Sequence, residues 1–155
     1  REFDSGAVRD IAEGKGRCDL LPLKVVAEIL DSVVLKCVDA YVRTGNIGEL
    51  QNAIRIFVTN DSNWLDIYTA ILEVAKQYEQ GCQKYGDRNW EKGIPVHCYI
   101  DSGVRHYLKF KRGDTDEPHD RAFLFNILGA IWTHENKPEL IDLPFANEAG
   151  QYEVR

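Results

Sequence analysis

The sequence predicts an all-α helical bundle of about five helices. Three observations predict it: Val, Ile and Leu recur at three- or four-residue spacing, Gly, Pro and Asn-Asp punctuation falls between those runs, and strand-like alternation is scarce. At 155 residues the chain fits one domain, which can bury about two thirds of the surface its unfolded form would expose. Hydrophobic residues make up 44% and charged residues 28%, close to globular averages.

Residues 1–19, rich in glycine and charge around Gly14-Lys15-Gly16-Arg17, follow neither period and read as an arm. From Leu20 the pattern changes. Pro22 suits a first helical turn, and Val25, Ile29, Val33, Cys37, Ala40 and Tyr41 predict one long helix ending near Thr44-Gly45. A shorter helix runs from Ile47 to Val58, stopped by Asn60-Asp61, and Ser62 can cap the next. That third helix, about Asn63 to Tyr85, shows an apolar stripe through Leu65, Tyr68, Leu72, Ala75, Tyr78 and Cys82, broken by Gly81. Gly86 to Pro95 is turn chemistry. A fourth helix, Val96 to Arg112, buries Ile100, Val104, Tyr107 and Leu108. Gly113 to Asp116 closes it, and a fifth, from about Glu117 to His134, is apolar almost all round after Ala122. Pro138 to Phe145 reads as an apolar strap. The expected organisation is a single domain, 1–155, with arm 1–19, bundle 20–136 and strap 137–155.

The net charge of −6 disfavours a long nucleic acid, whose binding rests on many Lys and Arg contacts. A small anion remains open, since a local cluster of cations or a bridging metal can hold one. The four cysteines are scattered, without CxxC spacing, and read as reduced thiols in a cytoplasm. No run of about 18 apolar residues exists, and the first residues are unlike a signal peptide, so neither membrane insertion nor export is expected.

The chemistry concentrates between Lys84 and Asn126. On the third helix Glu79 falls on or beside the apolar stripe, where a carboxylate needs a cation or donors; a pair with Lys76 or Gln83, or simple exposure at the edge of the stripe, is the alternative. On the fourth, Asp101 and Arg105 are one turn apart and suit an ordinary ion pair. His106 lies about 140° around the helix from Asp101 at 100° per residue, so the two do not share one narrow face. Arg105, His106, Lys109, Lys111 and Arg112 form either a solvated face or a phosphate wall. Asp116-Glu117-Pro118-His119-Asp120 opens the fifth helix, where the dipole favours acids and where metal ligands also crowd. Asn126, polar in an apolar run, is a buried structural amide or a site residue. In the loop, Asn89-Trp90 can read and stack a base with Lys84 or Arg88 on phosphate, or Trp90 can plug the bundle end.

Several segments together resemble a known family. They are Phe3 to Ala7, Gly14 to Arg17 with Asp19-Leu20-Leu21-Pro22, Gly81 with Lys84-Tyr85-Gly86, Asn89 to Gly93, Arg105-His106, and Asp116-Glu117 with His119 and Asn126. In this order they resemble the phage-encoded dATP/dGTP diphosphohydrolase N-terminal domain family, from Phe3 to about Phe145, with Val25 to Trp64 a longer, less typical part. The resemblance implies kinship with the all-α, MazG-like nucleoside triphosphate pyrophosphohydrolases. These hold Mg²⁺ on an EExxE helix and an ExxD helix and cleave between the α and β phosphates. Glu117-Pro118-His119-Asp120 satisfies ExxD, whereas EExxE is absent, Glu79 and Asp101 being the nearest single carboxylates.

What this implies is a purine dNTP pyrophosphohydrolase using Mg²⁺ or Mn²⁺. Glu79, Asp101, Asp116, Glu117 and His119 would hold the metal, and Glu79, His106 and Glu117 would carry catalysis. Lys15, Arg17, Lys84, Asn89, Trp90, Arg105 and Asn126 would bind substrate. The resemblance also implies a homodimer or larger assembly in the cytoplasm of a bacterial host. The alternative is a non-catalytic binder that sequesters a nucleotide, which the missing EExxE suits.

Overall fold

The computed structural model describes residues 1–10 and 13–145, and within them the protein is all-helical. Seven α-helices replace the five expected, for two local reasons. The first is a break in the long N-terminal helix. α1 (Leu23–Leu30) stops at Asp31, which adopts a left-handed φ of +50°, and Ser32 then caps α2 (Val33–Thr44) by accepting the Leu35 amide at 3.1 Å. Asp tolerates that conformation and Ser favours a cap, so Asp31-Ser32 supplies a stop and a start inside one apolar run. The break changes which residues are buried. The core takes Leu23, Ala27, Val34, Leu35, Val38 and Tyr41, while Val25, Ile29 and Val33 face outward, Ile29 being 76% exposed. The second reason is α5 (Asn89–Lys92), a single turn inside the expected loop.

Asn46 caps α3 (Ile47–Ile56), which widens into a π-turn at Phe57–Asp61. Ser62 does not cap the next helix. Its hydroxyl donates back to the Val58 carbonyl at 2.8 Å, and α4 (Ile67–Tyr85) starts instead from Asp66, which accepts the Thr69 amide at 2.7 Å. The expected stripe on this helix is displaced around it, Tyr78 alone of its members meeting the core. Leu65 and Leu72 are 96% and 73% exposed, and Ala70 and Val74 are buried, with Ile67 and Tyr78 half-buried beside them.

α6 (Val96–Arg112) has the expected ends, fixed by Pro95 before it and Gly113, at φ +93°, after it. Ile100, Val104 and Tyr107 are buried as expected, and Leu108 partly so. The turn at residues 113–118 sends α7 (His119–Asn136) back along α6, as the facing pairs His106 with His119, Tyr107 with Phe123 and Tyr99 with Gly129 show. Gly129 lies so close to the Tyr99 ring that an added Cβ would overlap it, so the helices approach there because no side chain intervenes. α7 also packs against α3 and α4, which explains its apolar character all round. Phe57 anchors the core against Trp64, Tyr107, Phe110 and Phe123.

After α7, one 3-10 turn (Pro138–Leu140) leads to a strap whose Leu143 and Phe145 are buried, Phe145 standing edge-on to Tyr41. Asp142 ties it to the start of α6 by accepting the His97 amide at 2.9 Å and pairing with the His97 ring. The remainder of the expected strap, 146–155, lies outside the described residues. No helix among the described residues is long and apolar enough to cross a membrane.

Candidate functional site

The arm folds back on itself before it reaches the bundle. The Phe3 amide donates to the Ala7 carbonyl at 2.9 Å, and Glu2 and Val8 form an isolated antiparallel bridge. Side-chain contacts then hold the arm across the C-terminal half of α4, α5 and the polar face of α6. Asn89 clamps Val8, accepting its amide and donating to its carbonyl, both at 2.8 Å. Arg9 enters between α6 and α7, donating to the Cys98 carbonyl at 3.3 Å and to the Asn126 side chain, with its guanidinium over the Tyr99 ring. Asp10 accepts from Lys84 at 2.6 Å and from the Tyr85 hydroxyl, and these donors hold its carboxyl below the usual range. Asp101 accepts the Cys18 amide at 2.7 Å and the Arg105 guanidinium at 2.6 Å, while Arg105 also donates to the Gly16 carbonyl at 2.7 Å.

Between arm and helices lies a cleft of about 1500 Å³. Ligand pockets of about 300–1,000 Å³ hold drug-sized molecules, so a nucleoside triphosphate with its water fits. Its walls carry eight Arg and Lys residues against five Asp and Glu, a positive balance inside a chain of net charge −6. Lys15 from the arm and Lys109 from α6 stand on those walls without an ion pair among the described residues, which leaves them open to an anion. Lys109 belongs to the basic stretch noted in the sequence, yet its position on the cleft follows only from the packing of α6.

Ten of the expected site residues line this cleft: Lys15, Arg17, Lys84, Asn89, Trp90, Asp101, Arg105, His106, Glu117 and Asn126. Several are already engaged with the protein itself. Asp101, expected as a metal ligand, has both oxygens taken by Arg105 and the arm, as the simple ion-pair reading has it. Asn89, expected to read a base, spends its amide on Val8. Asn126 donates to the Ala122 carbonyl at 2.8 Å and accepts from Arg9. Lys84 pairs with Asp10, and Arg17 with Asp19 at 2.7 Å. Trp90 packs edge-on against Tyr78 and Trp132, with Arg88 over its ring, so it plugs the bundle end while one side still meets the cleft. Glu79 is exposed and lies off the cleft, because α4 buries the face through Ala70, Val74 and Tyr78 and not the one through Leu72 and Ala75. Arg9 and Asp10 also belong to the site, and in the sequence only their place in a charged arm marks them.

The second part of the site is a corner where α6 meets the start of α7. His106 and His119 face each other, Nδ1 to Nδ1 at 2.9 Å. His119 is buried, and its Nε2 lies 2.7 Å from an Asp116 oxygen. Glu117 Oε1 is 3.9 Å from His106 Nδ1. Burial, reinforced by His119 and by Lys109 and Arg105, pushes the His106 imidazole down to about 3, so it is neutral at pH 7. Asp116 is held below the usual carboxylate range by its hydrogen bond to His119. One ligand atom from each of His106, Glu117 and His119 falls within 4.8 Å of the others, a donor set that fits a divalent cation.

An all-helical bundle of this kind, with a cationic cleft under an ordered arm, is consistent with the all-α, MazG-like class of nucleotide hydrolases. The chain belongs to the family described as dATP/dGTP diphosphohydrolase, N-terminal, whose family model matches residues 61–142. That span takes in α4 to α7 and the strap to Asp142, and leaves the arm and α1 to α3 outside it. No curated protein and no solved structure matches the chain significantly.

Proposed function

We propose that the cleft binds a purine deoxynucleoside triphosphate and hydrolyses it to the monophosphate and pyrophosphate. The observation that carries this reading is the juxtaposition of a positively lined cleft, with volume for a nucleoside triphosphate, and the His106–Glu117–His119 corner between α6 and α7. Lys15 from the arm and Lys109 from α6 contact phosphate oxygens. The arm, fixed by Asn89, Arg9 and Arg105, frames the sugar and base, and the edge of Trp90 offers an apolar surface to the base.

His106, Glu117 and His119 would hold a divalent cation, with Asp116 behind His119. When bound, such an ion polarises the phosphate oxygens and offsets charge building on the leaving group. Water adds to the α-phosphorus as the bond to the α–β bridging oxygen breaks, and the electron pair leaves with pyrophosphate. Glu117, half exposed at the rim of the cleft, keeps a carboxylate oxygen to take the proton that the water gives up. The substrate is a single nucleotide, which the acidic chain tolerates because the attraction is local to the cleft.

The test is incubation with dATP, dGTP and the pyrimidine dNTPs, with Mg²⁺ or Mn²⁺, measuring pyrophosphate and monophosphate. Purine-selective release of both supports the reading, and a rise in KM for Lys109→Ala with little change in kcat places that side chain on ground-state phosphate. A second reading, a nucleotide binder without turnover, is favoured by one observation. Of the carboxylates on the cleft walls, Asp10 and Asp101 are committed to Lys84 and Arg105, and Glu79 lies elsewhere. Tight dNTP binding with no pyrophosphate under any metal would decide for it.

A further inference from the structure

We propose that His106, His119 and Glu117 form a nitrogen-rich site that takes a first-row transition ion, such as Co²⁺ or Mn²⁺, in preference to Mg²⁺. The site's catalytic use rests on the hydrolase reading, whereas its metal preference rests on geometry alone. Two ligands at right angles on an ion with bonds of about 2.1 Å are about 3 Å apart, and opposite ligands about 4.2 Å apart. The facing Nδ1 atoms of His106 and His119, at 2.9 Å, match the first spacing, and the 3.9 Å from His106 Nδ1 to Glu117 Oε1 falls between the two.

An independent observation lies behind the pair. A carboxylate can only accept, so His119 Nε2 carries the hydrogen that points at Asp116, and Nδ1 is the nitrogen that faces His106. That arrangement, an imidazole turned by a carboxylate so that its other nitrogen faces a shared point, is how ligand histidines are oriented. His119 is buried, so its ring cannot turn away, while Asp116 and Glu117 remain exposed on the turn and complete the site from the solvent side. An ion held there would take the Nδ1 lone pair of each ring, with the ring hydrogens on Nε2.

The donor chemistry then selects the metal. Mg²⁺ prefers oxygen ligands and sheds water reluctantly, whereas imidazole nitrogen suits the transition ions, with affinity rising from Mn²⁺ to Co²⁺. Glu117 is the one carboxylate of the three donors, and the two nitrogens set the preference. This differs from the carboxylate-held Mg²⁺ that the ExxD pattern at Glu117–Asp120 implies. On the structure, that pattern contributes Glu117 to the set of three while His119, inside it, contributes a nitrogen.

The test is titration of the metal-stripped full chain with Co²⁺, Mn²⁺ and Mg²⁺ by calorimetry, with the visible absorption of Co²⁺ reporting its ligands. One Co²⁺ per chain is expected, with Mg²⁺ weaker by at least about tenfold. Because removing the buried His119 endangers folding, the main variant is His106→Ala, which should lose the Co²⁺ spectrum. Asp116→Asn should weaken Co²⁺ by about 10–100-fold while leaving the spectrum's shape. Equal affinity for Mg²⁺ and Co²⁺, or Co²⁺ uptake unchanged in both variants, would overturn the proposal. Co²⁺ bound at the histidines without pyrophosphate release upholds the site and defeats the hydrolase reading. Pyrophosphate release with no Co²⁺ uptake does the reverse.

Discussion

The two ends of the cleft use polar side chains in opposite ways. At the arm end, Asp101, Arg105, Asn89, Arg9, Asn126, Lys84 and Asp10 are spent on one another and on the backbone of the arm. At the corner, His106, His119 and Glu117 bring three donors together, and the Glu117 carboxylate accepts no hydrogen bond among the described residues. The first end resembles a buried hydrogen-bonded network, whose members fix a conformation. The second resembles a ligand set. A polar cluster in a sequence is compatible with both, and the difference lies in whether the partners are already present in the fold. Substitutions at the arm end should therefore act on stability and on the arm, and those at the corner on chemistry.

The sharpest way to break that contrast is Asp101→Ala. It leaves the Arg105 guanidinium buried without its carboxylate and frees the Cys18 amide and the arm behind it. Removing one partner of a buried pair costs about 3–5 kcal/mol, and that loss is expected in denaturant unfolding, with the arm becoming open to proteolysis. A stability within error of the original would mean that Asp101 is not the structural pin described here. Glu117→Gln is the counterpart at the corner. Its side chain is 49% exposed, so the melting temperature should hardly move, while kcat for dNTP hydrolysis should fall by about 10²-fold or more. A large loss of stability with normal turnover would reverse the two ends.

Asn89→Ala tests the arm end more gently. Both of its hydrogen bonds to Val8 are lost, at a cost of about 1–2 kcal/mol, because two half-buried backbone groups lose their partner. Amide exchange at Val8 should speed up, and KM for the nucleotide should rise more than kcat falls, since the arm only frames the ligand. A change confined to kcat would place Asn89 at the reacting atoms instead.

How far the sequence reveals this division depends on whether the deciding partner is near in the chain. α6 was legible from Val96 to Arg112 because Pro95 and Gly113 bound it and Ile100, Val104 and Tyr107 repeat on one face. The break at Asp31-Ser32 carried a local signal too, a polar pair between Leu30 and Val33, but the apolar repeat on either side outweighed it. On α4 two apolar faces compete, one through Leu65, Tyr68 and Leu72 and one through Ala70 and Val74. Periodicity alone does not say which one the other helices cover. The same choice of face moved Glu79 out to solvent. In the site, Asp101 with Arg105 was legible as a pair, being one turn apart, whereas the contacts of Asn89 with Val8, Arg9 with Asn126 and His106 with His119 cross 81, 117 and 13 residues. Only the packing of α7 along α6 and of the arm over α5, α6 and α7 creates them.

The smallest expected effect lies outside both ends, at the strap. Asp142 pairs with the His97 ring, and that hydrogen bond, with a further one to Cys98, raises the imidazole from its ordinary value near 6.5 to about 10, while Asp142 is held below the usual carboxylate range. A histidine whose folded value is raised contributes its full stabilisation below the unfolded value and loses it as pH climbs through the folded one. The contribution should therefore be complete near pH 6 and gone above about pH 10. On the acid side it lasts until the Asp142 carboxylate protonates, below the ordinary 3.8. His97 and Asp142 are 24% and 38% exposed, so solvent screens the pair and its worth shrinks to about 1 kcal/mol or less. Asp142→Asn should lower the melting temperature slightly near pH 6 and not at all above pH 10, with at most a small change in dNTP binding, because Asp142 itself does not line the cleft although its partner His97 does. A difference that persists at pH 11 would mean that Asp142 holds the strap through the His97 amide rather than through its ring.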